Sequence, residues 1–91
     1  MVDREEEIER ELGRKKLMMR LPALRDQLRS ASGAEIEAIF IAYERASAYQ
    51  DWIRGERSIP GQWTAYHDKL VADLEEAVRQ HLTAQRWQDF S

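Results

Sequence analysis

Between Ala34 and Arg54 the chain runs without a single proline or glycine, and its apolar residues recur at helical spacing. As an α-helix this stretch rises about 30 Å. Ile36, Ile39, Phe40, Tyr43, Ala46 and Ile53 share one face, while Ala38, Ala42, Tyr49 and Trp52 make a second. A helix that is apolar on most sides belongs in the middle of a fold, so the rest of the chain is expected to pack around it. Ser32-Gly33-Ala34-Glu35 has the form of a capping box that starts the helix, and Gly55 supplies its stop.

Two further helices are expected on either side. Residues 3–20 place Ile8, Leu12 and Met19 at helical spacing, with Gly13 as a weak point. Pro22 disfavours the α conformation at Leu21, so this helix should bend or break there. Leu17, Leu21, Leu24 and Leu28 nevertheless keep one apolar stripe across the break. After the connection at residues 56–61, with Ser58 as N-cap and Pro60 in the first turn, the last helix carries Trp63, Tyr66, His67, Leu70, Leu74, Val78, His81 and Leu82 on one stripe. Phe40, Tyr43, Leu70 and Leu74 are the expected core, and Glu75 and Arg79 an outward ion pair. The fold class is all-α, an antiparallel bundle of three long helices with the first bent or broken near Pro22, forming one domain over residues 1–91.

With 43% hydrophobic and 34% charged residues the chain is too apolar for disorder and too charged for a membrane protein. It has no cysteine, which excludes a disulfide framework. The acidic start, Asp3 to Glu7, is unlike a signal peptide, and a cytoplasmic location is expected. The net charge of −3 gives no global attraction to nucleic acid.

No residue pattern points to catalysis, a cofactor or a metal. His67 and His81 stand about 21 Å apart on one helix, too far to share an ion. Most acids read as solvated faces. Glu44 is the exception, and Arg57 or Lys69 is its expected partner. No nucleophile elbow or phosphate-cradling glycine loop is present, so an enzyme is not expected.

Gln50-Asp51-Trp52-Ile53-Arg54-Gly55-Glu56-Arg57-Ser58-Ile59-Pro60 is similar to the stretch that ends the recognition helix in Cro/repressor-type helix-turn-helix proteins. The likeness spans eleven residues. It implies a DNA-binding regulator, for which Arg45, Arg54 and Arg57 are the candidate phosphate contacts. The chain departs from that pattern, because no glycine-containing turn interrupts the helix before Trp52.

The leading expectation is a non-enzymatic protein–protein interaction module, such as a small adaptor, inhibitor or regulatory subunit, that forms a homodimer. A DNA-binding regulator and an accessory subunit of an enzyme complex are the alternatives. Residues 3–11 hold six acids against two arginines, whereas Arg14, Lys15, Lys16, Arg20 and Arg25 follow. This segregation suits the helix macrodipole. It also suits a second copy running the other way, with Ile8, Leu12, Met19 and Leu21 as the seam. Trp87 and Phe90 fall beyond the last stripe and are further partner-binding candidates.

Overall fold

The computed structural model describes residues 4–55 and 60–88, the last three through their backbone alone. Helix α1 spans Arg4–Arg20, a 3-10 turn Pro22–Leu24, α2 Arg25–Ser30, α3 Ala34–Gly55 and α4 Gly61–Gln88, and there is no strand among the described residues. Pro22 breaks the first helix as its chemistry requires. Leu21 takes an extended φ of −124°, and the 3-10 turn starts at the proline. Leu21 and Leu28 both reach the core and Leu24 packs against it, so the leucine stripe survives the break.

α3 lies between α1 and α4. Pairs between α3 and α4 fix an antiparallel hairpin: Glu35 with His81 at 3.7 Å, Tyr43 with Glu75 at 2.9 Å and Arg54 with Asp68 at 3.6 Å. α1 instead crosses α3 at an angle. Its Gly13 meets the Phe40 carbonyl, while Glu9 on one side pairs with Arg45 and Lys16 on the other pairs with Glu44, both beyond Phe40. The core is formed by Leu17 of α1, Ile36, Phe40, Tyr43 and Ala46 of α3, and Val71, Val78 and Leu82 of α4.

Several expectations change. The stripe of α4 is right at its C-terminal half and one position off at the other, where Val71 is buried and Leu70 is exposed. Leu74 is only partly buried. Periodicity cannot separate the set 63, 66, 70 from the set 64, 67, 71, because both continue into Leu74 and Val78. The capping box does not form as expected. Gly33 immediately precedes α3, with a φ of 119° that favours glycine, and its carbonyl accepts the Glu37 amide at 3.0 Å. Glu35 turns to His81 instead. On α4, Arg79 pairs with Glu76 at 3.4 Å and leaves Glu75 to the interior. Pro60 precedes α4 and its carbonyl accepts the Trp63 amide at 3.0 Å; the expected cap at Ser58 lies outside the described residues.

α1 is held largely by polar groups, since only Gly13 and Leu17 are buried along it. Arg14 Nη1 donates to the carbonyls of Leu28 at 3.2 Å and Arg29 at 2.9 Å at the end of α2, where the Leu28 carbonyl also accepts the Ala31 amide at 3.3 Å. The same guanidinium stacks over the Phe40 ring, 5.0 Å from its centroid. Arg14 therefore ties α1, α2 and α3 together.

Candidate interaction surface

On α3, Tyr49 and Trp52 are one helical turn apart, and on α4, Trp63, Tyr66, His67 and Leu70 follow at spacings of three and four. The antiparallel hairpin brings these two rows side by side. The Tyr49 ring lies 4.5 Å from the His67 imidazole and 5.5 Å from Trp52, and Tyr66 meets His67 edge-on at 5.6 Å. These spacings are those of favourable aromatic pairs. The surface is nonetheless open: Tyr49 is 44%, Trp52 56%, Trp63 53% and Tyr66 63% exposed. Arg54 pairs with Asp68 and Gln50 also donates to that carboxylate, which links the two helices. The sequence reading placed this half of α4 inward, so it missed the surface. Its signal was Val71, seven residues before Val78, which marks the buried line and turns Trp63, Tyr66 and Leu70 outward.

A second feature is a cleft of about 450 Å³ between the C-terminal half of α1 and the α3/α4 hairpin. Its wall carries Lys16, Arg20 and Arg54 together with Asp51, Asp68 and Glu75, so neither sign dominates. Tyr43 donates its hydroxyl to Glu75 Oε1 at 2.9 Å, and Arg20 Nε donates to the same oxygen at 3.2 Å. One carboxylate thus joins three helices. Burial first, and then the bond to Glu75, push the Tyr43 phenol up to about 12. A phenol held protonated in this way is no general base near neutral pH. The folded state favours the neutral phenol, so this contribution to stability is complete below the ordinary value of 10 and is lost as pH rises towards 12. Denaturation midpoints measured across that window should fall with pH, and Tyr43→Phe should flatten the fall; equal alkaline slopes in the two proteins would refute the assignment.

The remaining candidates are dispersed. Arg45 and Arg54 are nine residues apart, half a turn around α3. Arg45 grips Glu9 through two bonds of 2.7 and 3.2 Å and holds that carboxyl below its ordinary range, whereas Arg54 faces α4. They do not form one basic strip. Glu44 pairs with Lys16 at 2.7 Å, a partner the sequence reading did not name. Leu21 is buried in its own chain and is lost to any seam, while Ile8, Leu12 and Met19 are 55%, 42% and 70% exposed. Arg57, the Trp87 side chain and Phe90 lie outside the described residues. Among the described residues no group of three or more His, Asp or Glu side chains is placed to hold a metal, and no helix is long and apolar enough to cross a membrane. Comparison of the chain with protein-family models, with curated proteins and with solved structures finds no match.

Proposed function

We propose that this protein is a non-enzymatic helical interaction module that contacts another protein through the aromatic face of α3 and α4, and that it also self-associates. The exposed cluster of Tyr49, Trp52, Trp63 and Tyr66 carries the reading. Tyrosine and tryptophan supply a large share of binding energy at protein interfaces, where their rings lose water while their polar groups find partners. Four such residues on a chain this small are a large expenditure of apolar surface with no return in its own core. Ring contacts join Tyr49 to Trp52 within α3 and to His67 across to α4, which reduces the side-chain freedom these residues have to lose on binding. The dispersed arginines give the DNA-binding alternative no comparable support.

Affinity capture from a native lysate tests the module directly. The wild-type chain and a Trp52→Ser/Trp63→Ser variant are immobilised in parallel, after thermal melting has shown that both remain folded. A protein retained by the wild type and lost by the variant is expected. Identical captures by the two folded proteins would overturn the aromatic face as the binding surface.

A further inference from the structure

α1 covers one side of the α3/α4 hairpin, where its Gly13 meets Phe40. Tyr49 falls nine residues from Phe40, half a turn around α3, so the aromatic face is the hairpin's other side. That side tapers along both helices. On α3, Trp52 and Tyr49 give way toward the start of the helix to Ala42 and Ala38, both exposed. On α4 one line recurs every seven residues as Trp63, Leu70, Ala77 and Ala84, exposed except for the half-buried Ala77. Because the two helices are antiparallel, their large residues gather at one end of the hairpin and their alanines at the other. Arg45, at the edge of the face, has its charge offset by Glu9.

We infer that a second copy of this chain occupies the aromatic face, the two hairpins stacking aromatic end over alanine end. An isologous interface must be self-complementary, and a tapered face meets that condition in one orientation. A two-fold axis that lies in the interface and crosses the helices at right angles sets each helix antiparallel on its own copy. Trp52 then lies over Ala38 and Trp63 over Ala84. An axis running along the helices would instead set rings on rings and leave the alanine ends apart. The two rows agree on where the crossing axis lies. The α3 row, 38 to 52, is centred on Arg45, and the α4 row, 63 to 84, between Asp73 and Leu74. The pairs Tyr43–Glu75 and Gln50–Asp68 place Arg45 level with Asp73, so one axis serves both helices. Four rings, each half exposed, offer about 400 Å². Leu70 and the alanines raise this to about 500 Å² per copy, so pairing buries about 1,000 Å², the lower bound for a specific interface. Charge is depleted and aromatic residues are enriched at its centre, as in the cores of homodimer contacts. The product is a four-helix bundle of two hairpins with both α1 helices on the outside. The inference rests on the aromatic face of the proposed function and names its occupant, which any other partner must displace.

Sedimentation or light scattering, up to hundreds of micromolar chain, provides the test with full-length proteins, circular dichroism confirming that each variant keeps its helices. Wild type should rise above its monomer mass of 10.7 kDa with concentration. Ala38→Trp changes an exposed position and should raise the dissociation constant about tenfold or more, since the new ring meets Trp52 of the second copy. The exchange variant Ala38→Trp/Trp52→Ala restores large over small on α3 and should associate more tightly than Ala38→Trp alone. Ile8→Glu, on the exposed side of α1, should match the wild type. A wild type that stays at monomer mass throughout would overturn the second copy as occupant, while the lysate comparison with Trp52→Ser/Trp63→Ser still judges the face as a surface for another protein. A dimer that Ala38→Trp leaves intact, that Ile8→Glu breaks, or that the exchange variant fails to recover would overturn the stack.

Discussion

Gly13→Ala is expected to destabilise the protein by about 2–3 kcal/mol, although alanine is the better helix former by about 1 kcal/mol. A Cβ built on Gly13 lies 1.9 Å from the Phe40 carbonyl oxygen and 2.7 Å from its carbonyl carbon. Both atoms are backbone inside α3, so no side-chain rotation relieves the contact. α1 must lift away, and lifting it loosens Leu17 from the core and Arg14 from the Phe40 ring. The missing side chain is thus what sets the distance between the crossing helices. Gly55 and Gly61 are the controls, since a Cβ at either meets nothing within 4 Å. Chemical denaturation of the three alanine variants decides the matter. A Gly13→Ala midpoint at or above wild type would mean that the helices do not cross at Gly13.

Gly13 also shows what a sequence conceals. Read alone, a glycine within a helical pattern is a defect, and nothing local reveals that another backbone will need its space. The elements themselves were legible, because their signals are local: the break at Pro22 and the uninterrupted run from Ala34. The leucine stripe through Leu17, Leu21 and Leu28 was legible too, since all three face one core. What the pattern could not supply was the angle between helices. The crossing of α1 decides that Ile8, Leu12 and Met19 face outward while Glu9, Arg14 and Lys16 face α3. An apolar stripe on a charged helix therefore marked the wrong side for packing within the chain. Glu75 is the complementary case. It sits four residues after Val71 and three before Val78, on the buried line, and only the phenol of Tyr43 and the guanidinium of Arg20 make a carboxylate tolerable there.

The aromatic face was misplaced for a related reason. Hydrophobicity records which residues prefer to leave water, and it does not record whether the surface that covers them belongs to the same chain. Trp63, Tyr66 and Leu70 fit a core stripe by their spacing alone, and the antiparallel pairing of α3 with α4 leaves them outside the core by committing Val71 to the inside. The same ambiguity makes the exposed cluster informative once the fold is known. Residues that satisfy every rule for burial and yet remain open point to a partner.

Phe40→Ala should produce the largest loss of any single side chain, about 3–5 kcal/mol, and should do so without altering the Gly13 contact. Phe40 is fully buried and heads the largest buried side chains of the core. Truncation removes the ring from between α1 and α3 and leaves Arg14 without its cation–π surface, while Arg14 still bonds the carbonyls at the end of α2. The cavity lies where the helices cross, and the Gly13–Phe40 backbone contact prevents α1 from sinking to fill it. A leucine at position 40 refills most of that volume and should recover a substantial part of the loss. The double variant Gly13→Ala/Phe40→Ala separates the two effects. The alanine at position 13 strikes the Phe40 carbonyl and not its ring, so removing the ring gives no relief of that clash, and the double variant should be clearly less stable than Phe40→Ala alone, short of the full sum by the Arg14–ring contact that both changes disturb. A double variant as stable as Phe40→Ala alone would show that the ring, and not the backbone, holds α1 away from α3.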